Sequence, residues 1–244
     1  MLGADALIEP QWRVPANVRA LCTTRLGGVS EGVMAALNLG VHVGDAPAKV
    51  GENRALVRAH LPNEPVWMEQ VHGAEVIDAA MAPTKPRADG AVTRTPGVVC
   101  CVMTADCLPV LLADEAGTVV GIAHAGWRGL AQGVIEATID RMQVAPARIV
   151  AYLGPAISRQ AYEVGAELFE LFVKADAGAA ASFTAKGGGK YWCDLYGLAT
   201  RRLVRLGVPT ISGGTYCTHG DAARFFSFRR DGQTGRMASF IWLT

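Results

Sequence analysis

The 244-residue chain has no excess charge of either sign, since 23 Lys and Arg face 22 Asp and Glu for a formal charge of +1. It therefore has no broad electrostatic field for nucleic acid or an anionic membrane, and any anion it binds must be met by a local pocket. It also has no long apolar run. Its longest apolar tract, Gly97 to Ala113, is interrupted by Asp106 and Pro109, too short and too broken to cross a bilayer. The stretch from Met1 to Trp12 shows neither a basic start nor an uninterrupted apolar stretch, so it does not read as a signal peptide, and a soluble, cytoplasmic protein is expected. Cysteine is sparse: six residues, two of them the adjacent Cys100 and Cys101, do not make a disulfide scaffold and are expected to be reduced thiols. Heptads and solenoid repeats are missing. The one low-complexity stretch, Ala175 to Lys190, predicts a surface loop. Gly189-Lys190 within it does not meet the spacing of a phosphate loop.

Half of the residues are hydrophobic, enough for a substantial core. Apolar, β-branched runs predict strands near Val18–Thr24, Pro65–Glu69, Ala91–Thr93, Val98–Thr104, Leu108–Leu112, Thr118–His124, Arg148–Leu153, Phe225–Phe228 and Met237–Leu243. Helical periodicity predicts Ala48–Leu61, Leu130–Met142 and Leu195–Leu206, with Val164–Val173 as a fourth helix. The strands between Val98 and His124 follow one another through short turns. This favours an α+β fold with mixed or antiparallel sheets flanked by helices over a doubly wound parallel sheet. Without a long linker, residues 1–244 read as a single domain.

Three residues sit at predicted strand ends, where short irregular segments aim side chains into a cleft. His124 closes the strand T-V-V-G-I-A-H and precedes A-G-W-R-G, whose glycines allow a tight turn into a helix N-terminus. Cys107 lies in T-A-D-C-L-P, directly after Asp106. His72 lies in M-E-Q-V-H-G-A, with Gly73 permitting the turn. Two imidazoles and a thiolate form a coherent donor set for zinc that leaves one coordination position open for water or substrate. Copper would also accept these donors. No close C-x-x-C or H-x-x-x-H spacing accompanies them, and the signature of zinc nucleobase deaminases is absent. A metal-free alternative pairs a Cys107 thiolate nucleophile with His124 as its base, as in cysteine hydrolases. A non-enzymatic metal-storage protein would instead need a closed, four-coordinate site.

The segments T-T-R-L-G-G-V-S (from Thr23), N-L-G-V-H-V-G-D (from Asn38), Q-V-H-G (from Gln70), A-D-G-A-V-T (from Ala88), T-A-D-C-L-P-V-L-L (from Thr104), A-H-A-G-W-R-G (from Ala123), L-G-P-A-I (from Leu153) and F-F-S-F-R-R-D (from Phe225) follow in order almost to the C-terminus. As an ordered set they resemble the bacterial laccase-domain group, labelled both multicopper polyphenol oxidase and purine nucleoside phosphorylase. The resemblance implies a single-domain α+β enzyme, monomeric or weakly associated, with zinc or copper held by His72, Cys107 and His124. It further implies phosphorolysis of adenosine, inosine and methylthioadenosine, together with deamination of adenosine. An oxidase with several copper sites needs more histidines than the five present, and His60 and His219 look peripheral.

Phosphorolysis needs an anion clamp, and the planar fork of arginine supplies one. Arg25, beside Gly27-Gly28, and Arg229 and Arg230, beside a turn, are the candidates. Asn38 and Gln70 are candidates for hydrogen bonds to base or ribose. Asp106 is a candidate acid or base that could equally fix its loop.

Overall fold

The computed structural model describes residues 2–244. The alternating strand patterns assemble into three sheets. β1 (Leu7–Ile8) pairs with β2 (Val18–Thr23). Next along the chain come α1 (Pro47–Arg58), β3 (Val76–Asp78), β4 (Gly90–Thr93), β5 (Cys100–Thr104), β6 (Leu108–Asp114) and β7 (Val120–Ala125). They are followed by α2 (Trp127–Gln132), α3 (Val134–Met142), β8 (Ile149–Leu153), β9 (Glu163–Gly165) and α4 (Ala166–Ala175). The chain ends with β10 (Phe183–Gly187), β11 (Lys190–Cys193), α5 (Leu195–Leu206), β12 (Thr210–Gly213), α6 (Phe228–Asp231) and β13 (Met237–Leu243).

One sheet has the order β1-β2-β13-β5 and is antiparallel throughout. The largest runs β12-β8-β6-β7-β4-β3, with parallel pairs at its two edges and antiparallel pairs between them. The third, β10-β11-β9, is a small antiparallel sheet. The expected α+β class with mixed and antiparallel sheets, in one domain, is what the chain adopts.

The two larger sheets lie face to face because their strands alternate between two apolar layers. Val102 and Ile241 point into the layer between the sheets, where Leu111 and Ile122 meet them. Their sequence neighbours Cys101, Phe240 and Trp242 point the other way, onto Val57 of α1 and the Leu37–Leu39 segment. On the far side of the largest sheet, Val110 and Leu112 pack under α3 and α5 through Ile135, Ile139 and Leu198. Strands covered on both faces read as continuous apolar runs, which is why β5, β6 and β7 stood out in the sequence. Phe240, fully buried, touches Trp67 edge-on at a centroid distance of 5.9 Å. Phe240→Ala is expected to lower the unfolding free energy by about 3–5 kcal/mol, read as a shift in the urea midpoint at unchanged slope.

Local expectations depart from the structure in four segments. The helix expected over Leu130–Met142 starts at Trp127 and is broken by Gly133, at φ 87°, because no other residue enters the left-handed region so cheaply. The loop expected over Ala175–Lys190 instead forms a helical turn, Ala177–Ser182, and the β10–β11 hairpin. Buried Phe183 anchors that hairpin against Phe169, Phe172 and Tyr191, so tertiary packing overrides the Ala- and Gly-rich composition. Finally, neither Pro65–Glu69 nor Phe225–Phe228 is a strand. The former makes only the isolated bridges Val66–Cys100 and Glu69–Arg87, and the latter buries Phe225 and Phe226 in an irregular segment leading into α6.

All six cysteines are free thiols. Among the described residues, no helix is long and apolar enough to cross a membrane.

Candidate active site

The chain passes from one large sheet to the other in the three residues Ala105, Asp106 and Cys107, between β5 and β6. Such a short crossover forces an unusual backbone, and Asp106 takes it up at φ 100°. Its buried carboxylate accepts from the Thr218 hydroxyl at 2.6 Å and from the Arg229 amide at 2.7 Å, while its carbonyl accepts from the Ile157 amide. Asp106 thus pins the crossover and fixes where Cys107 emerges.

Sheet register does the rest. β6 and β7 pair so that Leu108 faces Ala125 and Pro109 faces His124, which sets Cys107 beside the end of β7. On the other side, β4 pairs with β7 through Gly90 and Ala123, which brings Asp89 beside His124. The Asp89 carboxylate, fully buried, lies 2.8 Å from His124 Nδ1. It also accepts from three consecutive amides, those of Val71 at 3.1 Å, His72 at 2.9 Å and Gly73 at 2.7 Å. One carboxylate therefore orients one imidazole directly and holds the backbone of the other, whose residue His72 sits at φ 60°. With Nδ1 engaged by Asp89, Nε2 of His124 is left for the site.

The ligating atoms of His72, Cys107 and His124 all lie within 4.8 Å of one another, and among the described residues they are the one such group able to hold a metal ion. The two imidazole rings meet edge to face at 4.9 Å. Gly126 makes room for the thiol, since a Cβ there would lie 2.7 Å from Cys107 Sγ. Gly126→Ala is expected to displace the thiol and lower metal content and activity at least tenfold, with strain of about 1–3 kcal/mol. Metal analysis beside a thermal melt checks both effects.

Burial opposes charge on Cys107, but the adjoining imidazoles of His124 and His72 outweigh it and bring the thiol down to about 6. Burial likewise opposes charge on His124, yet Cys107 and Asp89 hold its imidazolium up to about 9. The buried thiols Cys22, Cys100, Cys101 and Cys193 are pushed the other way by burial and behave as inert core residues. Cys217, half-buried, is also lowered. Burial opposes its charge, but donors from Ser158 and from the amides of Gly220 and His219 prevail.

The triad forms part of the wall of a cavity of about 610 Å³. Of the residues expected to bind substrate, the structure brings only Gln70 to this wall, and its amide is paired with both backbone groups of Met103. The other four hold the fold together. Arg25 donates to the carbonyls of Ala35 and Ala222 and lies over the Phe226 ring. Asn38 is fully buried, tying Gly40, Asp45 and the Arg236 amide together. Arg229 donates to the Glu163 carbonyl over the Tyr162 ring. Arg230 ties together the carbonyls of Thr218, His219 and Phe225 and pairs with Asp231.

The wall instead carries Arg54, Arg236, His42, Trp67 and Phe228. Sequence reasoning missed these, as it missed Asp89. His42 and Asp89 lay within recognised segments, but Arg54 sits on an ordinary amphipathic helix and Arg236 just before β13, and neither carried a local signal.

The profile of the family described as multi-copper polyphenol oxidoreductase laccase matches residues 19–244. A purine nucleoside phosphorylase YfiH of Shigella flexneri is 52% identical over 97% of this chain and 98% of its own length. The purine nucleoside phosphorylase PA4543 of Pseudomonas aeruginosa is 48% identical, over 98% and 99%. In the crystal structure of Neisseria meningitidis protein NMB0706, a chain 51% identical superposes with a TM-score of 0.95 over 98% of this chain and 99% of that one.

Proposed function

The chain belongs to the multi-copper polyphenol oxidoreductase laccase family, and from that premise we propose that it is a zinc-dependent purine nucleoside phosphorylase that also deaminates adenosine. Residues 1–244 would act as one catalytic domain in the cytoplasm. The observation that carries this reading is the His72–Cys107–His124 cluster set in the wall of a cavity of about 610 Å³, within the range of small-molecule sites.

The donor set fits zinc: two imidazoles and one thiolate, one imidazole braced by a buried carboxylate, with a fourth position left open. A metal held there would supply Lewis-acid polarisation of a substrate oxygen or nitrogen, and copper would be accepted by the same donors. Phe228, 59% exposed at the cavity wall, offers a ring face for a purine to cover. In phosphorolysis of adenosine, inosine or methylthioadenosine, an oxygen of hydrogen phosphate bonds to ribose C1′ as the C1′–N9 bond breaks. The electron pair leaves with the base, and the proton given up by phosphate ends on the base nitrogen. In deamination, water supplies the oxygen at C6 and ammonia departs. The oxidase reading is less well supported, because among the described residues one such donor group is present, whereas a multicopper centre needs several.

One observation favours a second reading. Asp89, His124 and Cys107 stand in the order carboxylate, imidazole, thiol, the arrangement of a metal-free cysteine hydrolase. Iodoacetamide with site-resolved mass analysis separates the two. A free nucleophile labels at once at Cys107, whereas a metal-held thiolate labels only after chelation. Half-buried Cys217 labels in either case, so total mass alone does not decide.

The direct test is metal analysis of the purified protein followed by chromatography of adenosine with and without phosphate. Adenine formed only with phosphate, together with about one zinc per chain, is the expected result. Inosine would demonstrate the deaminase arm. If neither product forms, the nucleoside reading is overturned.

A further inference from the structure

We propose that Arg54 and Arg236, with His42 beside them, form the subsite that holds inorganic phosphate, an inference that rests on the phosphorylase reading above. Both arginines and His42 line the same cavity as the triad. Most other arginines of this chain that are fixed by side-chain bonds, such as Arg159, Arg201, Arg202 and Arg224, face a carboxylate. Among the described residues neither Arg54 nor Arg236 is in an ion pair. Glu64 acts on Arg54, and Cys107 and Asp106 act on Arg236, only from beyond ion-pair contact, so two half-buried guanidinium groups at one cavity retain donors that an anionic ligand would satisfy.

Each is nevertheless held in place. Arg54 lies 3.8 Å over the Trp67 ring and gives Nε and Nη2 to the Leu39 carbonyl at 3.0 and 2.9 Å, leaving Nη1. Arg236 gives Nη1 to the carbonyls of Thr234 and Gly235. Its Nε–Nη2 edge remains, the edge that grips two oxygens of one phosphate. The segment from Asn38 to His42 is clamped between the two. The Leu39 amide donates to the Arg236 carbonyl, and the Asn38 side chain accepts from the Arg236 amide. Gly40 is required here, since a Cβ would lie 2.8 Å from Arg236 Cγ. The imidazole of His42 is held below its ordinary value, first by burial and then by the positive groups Arg236, Arg54 and His72 around it. Glu69 also lines the cavity, but it is paired with Arg87.

The test uses phenylglyoxal on the full-length wild-type protein with inorganic phosphate, with adenosine 5′-monophosphate, or with neither, and maps the modified arginines by mass. Inorganic phosphate is expected to protect Arg54 and Arg236. In parallel, Arg54→Met and Arg236→Met are expected to raise the KM for phosphate about ten- to a hundredfold. Zinc content should stay unchanged, Arg236→Lys should restore part of the loss, and Lys49→Met on the outer surface should have no effect. If phosphate-dependent cleavage occurs but neither arginine is protected and both variants keep the wild-type KM, the subsite is refuted while the phosphorylase reading stands. Protection by the nucleotide alone also refutes it. If phosphate protects both arginines but no nucleoside is cleaved, the subsite holds and the phosphorylase reading falls. The wild-type labelling decides the matter even if a variant fails to fold.

Discussion

Replacing Cys107 by alanine is expected, on the proposed reading, to abolish phosphorolysis and deamination together, by on the order of a thousandfold or more. Cys107 is the one anionic donor of the cluster, and its removal leaves only the two adjoining imidazoles. Metal content should fall with activity. The fold should persist, because Cys107 is half-buried at a crossover that Asp106 and its partners Thr218, Ile157 and Arg229 hold independently. Circular dichroism and a thermal melt test that persistence, and chromatography of adenosine follows the two reactions. Retention of either activity at the wild-type rate would sink the idea that one pocket performs both.

Asp89→Asn is expected to have the second-largest effect, and a different signature. The Asp89 carboxylate touches no other donor of the cluster than His124, yet it also receives the amides of Val71, His72 and Gly73. An asparagine keeps one oxygen, turns an NH2 toward groups that are themselves donors, and removes the charge. The expected loss is about ten- to a hundredfold in metal affinity, typical of a group one shell out from a ligand, and about 2 kcal/mol of stability. Competition against a chelator gives the affinity, and urea unfolding of the metal-free protein gives the stability. Excess zinc should recover most of the activity of Asp89→Asn and none of that of Cys107→Ala. A purely structural role for Asp89 would change the urea midpoint and leave the chelator competition unmoved.

The strongly periodic elements were legible because their patterns repeat one physical choice many times over. Strands β5 to β7 are covered on both faces, so nearly every residue in them is apolar, and α5 repeats its buried face at Leu195, Leu198, Ala199 and Leu203. The β10–β11 hairpin was not legible. Its composition is that of a loop, and its order comes from Phe169 and Tyr191 stacking at 4.5 Å with Phe183 against them. Residues far apart in sequence supplied what the local segment lacked.

The same division runs through the site. The sequence by itself determined that the chain would be an α+β domain without a dominant charge. It also marked His72, Cys107 and His124 as candidates, because each sits at the end of a predicted strand. Only the tertiary structure decided that the three converge, since that depends on the register of β6 and β4 against β7. Only it revealed Asp89 as the brace for both histidines. It also placed Arg54 and Arg236 in the cavity wall, and Arg25, Arg229 and Arg230 away from it. A sequence displays which side chains could carry charge. Whether that charge is already answered by neighbours or left facing a cavity is fixed by contacts between segments distant in the chain, and so is settled by the fold.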